Sequence, residues 1–273
     1  MTKTLHVLLE SLIDYAGVYP PASLTMDRAV SSYDQYRRGD ESWALGKFVV
    51  PAAKIGEVPP DFPVAVVGTI DEFAEGERRG RLQPAQGGLK PAPTSFEIKA
   101  ASVSDVERVA ALAGERTVYV ETSNLELLKT IADHGLRAKI RTGGVTADAF
   151  PSGDAIAAFI RTCADLELPF KATAGLHHPI RCVRPLTYEA DAPKGMMHGF
   201  LNVFIAAALP QFAEKVMRED NPRAFAFDEG GLWWHDCRVT VEEIERVRSE
   251  LAISFGSCSF EEPIADLKEL GWL

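Results

Sequence analysis

The sequence predicts a single (β/α)8 TIM barrel spanning residues 1–273, and three observations carry that expectation. Eight short apolar runs, at 12–16, 47–51, 64–68, 96–100, 117–121, 138–142, 170–174 and 224–228, alternate with helix-like stretches. Repeated strand-then-helix units imply parallel strands, since each helix carries the chain back to the edge from which the next strand starts. The 273 residues, 46% of them hydrophobic, suffice for one large core, and α/β barrels reach this size as one domain. Ionisable residues also recur on one face of consecutive runs, where strands buried on both faces would read as Val, Ile and Leu throughout.

Taken in order, the first run holds Asp14 and is followed by a helical pattern over 26–38. The connection at 55–62 is weakly helical and holds Pro59 and Pro60, and the stretch at 75–93 is rich in Gly, Pro and Arg. Helices are expected at 105–113, 125–134, 153–166 and 199–208, with another at 241–251 after the eighth strand. Capping boxes mark two of them, Ser123 with Glu126 and Thr240 with Glu243. The long loop at 181–198, with Arg181, Arg184, Tyr188 and Lys194, is expected to act as a lid.

Side chains two residues apart on a strand share a face. That parity turns Glu97 and Lys99, then Glu121, then Lys139 and Arg141, then Lys171 and Thr173 toward the barrel axis, with Gly143 and Gly175 opening the turns beyond. Barrel chemistry sits at the ends of the strands. Two ammonium groups held close together disfavour each other's charge, and burial disfavours both, so one amine can be neutral and nucleophilic near pH 7. The implied chemistry is a Schiff base with a carbonyl substrate. The residues alone leave open which lysine attacks, and the competing structural reading is a salt-bridge layer that closes the barrel.

Several segments, in this order, resemble the deoxyribose-phosphate aldolase family of class I aldolases. Leu12-Ile13-Asp14-Tyr15 with Pro20 is similar to its opening L-I-D-H and K-P, and Phe48-Val49-Val50-Pro51 to its C-V-N-P. Val64 to Gly68 resembles its V-V-G-F, and Val120-Glu121-Thr122 its I-E-T. Lys139 to Gly143 stands where K-T-S-T-G would, and Lys171 to Gly175 where K-A-S-G-G would. The resemblance implies that Lys139 forms the imine, that Lys171 lowers its pKa, and that Asp14 and Glu121 support a proton relay. The sequence departs from the family in three places. Lys99 stands where the family has a relay aspartate, and Arg141 where it has a small hydroxyl residue. Both favour an anionic substrate, because arginine is a planar fork for carboxylate or phosphate. Asp228-Glu229-Gly230-Gly231, at the expected end of the eighth strand, would repel a phosphate, so a non-phosphorylated substrate is expected.

His177 and His178 follow the seventh strand directly. His177 is expected to transfer a proton or touch substrate, while His177, His178, Asp228 and Glu229, with His235, form an alternative metal-binding set. A non-catalytic barrel that binds a small anion is the remaining alternative. No cofactor signature is present, because Gly143-Gly144 and Gly230-Gly231 lack nucleotide-loop spacing. A formal charge of -10 argues against nucleic-acid binding. The four cysteines lack C-x-x-C spacing, and neither a signal peptide nor an apolar run of about 18 residues is recognisable, so a reduced, cytoplasmic protein without a membrane partner is expected. The expected partner is a small carbonyl compound, with homo-oligomerisation left open.

Overall fold

The computed structural model describes residues 1–79 and 93–273. Helix α1 (Lys3–Leu9) precedes the barrel, and the Thr2 hydroxyl accepts from the Leu5 amide at its start. Then follow β1 (Ile13–Tyr15), α2 (Met26–Tyr36), β2 (Leu45–Pro51), β3 (Val64–Gly68), α3 (Ile70–Arg78), β4 (Pro93–Lys99) and α4 (Val103–Ala113). Next come β5 (Val118–Glu121), α5 (Glu126–Asp133), β6 (Arg137–Arg141), α6 (Gly153–Asp165) and β7 (Phe170–Thr173). After β7 lie the strands β8 (Cys182–Pro185) and β9 (Lys194–Met197) and the helices α7 (Phe200–Ala208) and α8 (Ala213–Arg218). The chain ends with β10 (Phe225–Asp228), β11 (Gly231–Trp234), β12 (Cys237–Thr240), α9 (Val241–Glu250), β13 (Ala252–Ser257) and α10 (Glu261–Glu269). Most of the expected 75–93 segment lies outside the described residues.

Eight strands close into a parallel barrel in the order β1-β13-β7-β6-β5-β4-β3-β2, with helices around it. This is the expected (β/α)8 architecture, but its eighth strand is β13 and not the run at 224–228. That run is β10, an edge of the antiparallel sheet β10-β11-β12. Asp228 pairs with Gly231 across a tight turn, and the Gly230 amide donates to the Asp228 carboxylate. A hairpin of this kind reverses the chain at once, so β10 cannot feed a helical crossover. The helix expected after the last strand, α9, therefore precedes it. β13 was hard to see because its barrel-facing positions are small and polar. The Ser254 hydroxyl donates to Asp14, while Phe255 on the opposite face stacks on Phe200 of α7 with ring centroids 5.0 Å apart.

The Thr240–Glu243 capping box forms, as do boxes at Thr69–Glu72 and Ser102–Asp105. The box expected at Ser123 does not, because α5 begins later and the Asn124 side-chain oxygen Oδ1 accepts from the Glu126 amide instead. Residues 181–198 are not an irregular loop: β8 and β9 pair antiparallel within them. Among the described residues, no helix is long and apolar enough to cross a membrane.

At the mouth, Gly175 adopts φ +74°, and a Cβ there would lie 2.8 Å from a Phe150 ring carbon and 2.9 Å from the Gly143 Cα. The loop after β7 therefore packs directly on the loop after β6. Gly175→Ala is expected to cost roughly 2–4 kcal/mol, combining left-handed strain with overpacking. Chemical denaturation checks this, and an unchanged midpoint would refute it.

Candidate active site

Strand register brings the charged residues together. Glu121 is in register with Lys139, and Lys139 with Lys171, so all three project to the same face of neighbouring parallel strands. The Lys171 ammonium donates to Asp14 Oδ2 at 2.6 Å and to Glu97 Oε1. The Lys139 ammonium lies 2.7 Å from Glu97 Oε2 and 2.7 Å from Glu121 Oε2. Arg141 Nε donates to Glu121 Oε1 at 3.2 Å. The result is a continuous row of alternating sign: Asp14, Lys171, Glu97, Lys139, Glu121, Arg141. Asp14 also accepts from the Lys47 amide and the Ser254 hydroxyl, and Gly46 makes room for it, since a Cβ there would lie 2.3 Å from Asp14 Oδ1.

The electrostatics correct the expectation of two opposed amines, because Glu97 stands between them with one oxygen on each. Burial works against the Glu97 carboxylate, but Lys139 and Lys171 outweigh it and hold its pKa down at about 2. Burial likewise disfavours the Lys171 ammonium, yet Asp14 and Glu97 hold its pKa above the ordinary lysine value. Glu121 is pulled below the usual carboxylate range by Lys139 and Arg141 against the same burial cost. Lys171 is thus held as a cation by the carboxylates on either side of it.

A cavity of about 330 Å³ opens at the C-terminal mouth of the barrel. Glu97, Glu121, Lys139, Arg141, Thr173, Gly175 and His177 line it. Lys171 lies beneath, 1% exposed, and is not part of the lining. Asp14 instead borders a separate cavity with Lys47 and Arg248. Lys99, expected to face the barrel axis and bind an anion, is exposed at the end of β4 and does not line the mouth cavity. Gly143 packs beneath Phe150, and Gly144 beside it reaches the lining. Sequence reasoning missed Tyr19 and Cys258, which also border the cavity. The Tyr19 hydroxyl is buried without a hydrogen-bond partner among the described residues, so it is free to meet a ligand oxygen. Cys258 follows the strand that was not recognised.

The expected metal set is not assembled. His177 Nδ1 contacts Glu262 at 2.7 Å and His178 Nδ1 contacts Asp266 at 2.6 Å, both carboxylates being on α10. Asp228 accepts from Gly230 and Trp233, Glu229 from the Lys3 amide, and His235 pairs with Glu219. Among the described residues, no group of three or more His, Cys, Asp or Glu is placed to hold a metal ion. The same displacement removes the charge argument against a phosphorylated substrate. The true eighth strand ends in Gly256-Ser257 and continues into Cys258-Ser259, a small and hydroxyl-rich stretch.

No family model and no curated protein sequence matches the chain. Among solved structures, it is similar to a lysine/ornithine decarboxylase from Vibrio vulnificus in complex with cadaverine, at 11% identity and a TM-score of 0.41. The match covers 93% of this chain and 60% of that one, so the chain spans about three fifths of that protein's length.

Proposed function

We propose that this barrel is a class I aldolase-like lyase in which Lys139 forms a Schiff base with a small anionic carbonyl compound. The observation that carries this is the position of the two amines: Lys139 borders the mouth cavity, whereas Lys171 is sealed beneath it. The motif resemblance to the deoxyribose-phosphate aldolases supports the same assignment. To attack, the Lys139 ammonium must first give up a proton, and Glu121 is the hydrogen-bonded acceptor that also faces the cavity. Nitrogen then bonds to the carbonyl carbon, one of its two protons passes to the oxygen to give the carbinolamine, and the Glu121 proton goes to that hydroxyl, which leaves as water. The resulting iminium is an electron sink for breaking a bond at the adjacent carbon. His177 and Glu121 are the lining groups able to move a proton there.

Arg141 is the cation that reaches the cavity from the end of the row, and it is assigned the substrate's anionic group. Its side chain is 55% exposed, so solvent screens the contact, and Arg141→Ala is expected to weaken substrate binding by about tenfold. Unchanged binding of the trapped compound would remove Arg141 from this role.

The direct test is borohydride reduction in the presence of a panel of small aldehydes and oxo-acids, read by intact mass and peptide mapping. Label on Lys139 is expected. Label on Lys171 would reverse the assignment, and the absence of label on any lysine would leave a non-catalytic anion-binding barrel.

A further inference from the structure

A second constellation in the wall of the same cavity shares His177 with the amine chemistry and adds groups that chemistry does not use. The Cys258 thiol, on the segment between β13 and α10, lies 3.9 Å from His177 Nε2. On the far side of the ring, His177 Nδ1 contacts Glu262 at 2.7 Å. Tyr188, projecting from between β8 and β9, donates to the same Glu262 oxygen at 2.7 Å and lies 3.7 Å from the Cys258 sulfur. A nucleophile, a base and a carboxylate that orients the base are therefore linked in series, the arrangement that activates a cysteine. Cys258 and His177 both line the mouth cavity.

We propose that Cys258, His177 and Glu262 form a thiol nucleophile that adds reversibly to the carbonyl carbon of an aldehyde in the barrel cavity, giving the protein a second covalent centre beside Lys139. In the step, His177 holds the proton that the thiol has given up while sulfur bonds to the carbonyl carbon. The C=O π pair becomes an oxyanion, which takes the proton back from His177. The product is a neutral hemithioacetal, with no leaving group and no co-reactant.

The local charges agree with this. Burial disfavours the His177 imidazolium, but its hydrogen bonds to Cys258 and Glu262 outweigh burial and push its pKa up to about 9. At neutral pH the ring is then charged, and a charged imidazole beside sulfur stabilises the thiolate. Tyr188 and, on β1, Tyr15 also lie close enough to the thiol to interact with its charge, and Glu261 at the start of α10 acts on Tyr15.

Two measurements on the full chain test the proposal. Iodoacetamide at pH 7, followed by peptide mapping, is expected to modify Cys258 roughly tenfold faster than Cys182 and Cys237, although both of these are less buried. His177→Asn should slow that reaction by about tenfold or more, and the milder Glu262→Gln should slow it less. Propanal labelled with carbon-13 at its carbonyl should give a tetrahedral adduct resonance that is absent from Cys258→Ser. Equal rates at all three cysteines, or no adduct resonance that depends on Cys258, would overturn the proposal. A trigonal imine resonance reports on Lys139 separately, so its absence would count against the amine assignment alone.

Discussion

Lys139→Met is expected to abolish borohydride-dependent labelling at every pH while the barrel stays folded. Labelling disappears because no other amine borders the mouth cavity among the described residues. The fold survives because each carboxylate that Lys139 touches keeps another cation: Glu97 retains Lys171, and Glu121 retains Arg141. The loss should therefore be one of chemistry with little loss of structure, and circular dichroism with intact mass resolves the two. A folded variant that still accepts label would eliminate Lys139 as the imine-forming residue.

Lys171→Met should show the opposite pattern, with a large effect on stability. Lys171 is 1% exposed, and its removal leaves Asp14 without an ammonium ion-pair partner among the described residues. Removing one member of a buried ion pair costs about 3–5 kcal/mol, because the remaining charge is uncompensated. The deficit should depend on pH. In the wild type, the pKa of Glu97 is held at about 2, below its unfolded value. Its stabilising contribution is complete above the unfolded carboxylate pKa, near 4.3, and is lost as pH falls toward 2. In the variant, Glu97 keeps only Lys139, its pKa is less depressed, and less stability remains to be lost on acidification. The gap between the two proteins is thus expected to be widest at pH 7 and to narrow below about pH 4. Urea denaturation at the two pH values checks this, and a gap that widened in acid would contradict it.

Most of the barrel was legible because its strands and helices obey simple periods. The runs at 138–142 and 170–174 place Lys139 and Lys171 on one face, and β6 and β7 hold them in register. The eighth strand was missed because Ser254 and Gly256 replace the apolar residues that announce a buried strand, while the aromatic run at 225–227 imitates one. That error carried Asp228 and Glu229 to the wrong place and hid Cys258. Parity also identified Glu97 as inward-facing, but it could not show that its two oxygens would bridge two lysines. Such a contact depends on side-chain length and strand stagger, neither of which leaves a trace in residue spacing. Lys99 shares the parity of Glu97 but sits at the strand's exposed end, where the face of a residue no longer determines its burial.

The alternating row has a consequence for the charge balance of a reaction cycle. Asp14, Glu97 and Glu121 are matched by Lys171, Lys139 and Arg141, so with all six ionised the row is neutral. An iminium at Lys139 carries the same single positive charge as the resting ammonium, so resting state and intermediate are equally matched to the surrounding carboxylates. The neutral amine and the neutral carbinolamine exist only while Glu121 holds the proton, so one cation and one anion leave the row together and the ion pair between Lys139 and Glu121 is given up. Fixed charges of this kind need no rearrangement when the cation forms, and they favour the charged intermediate over the uncharged species on either side. On this reading the barrel stores the counter-ions of its intermediate permanently.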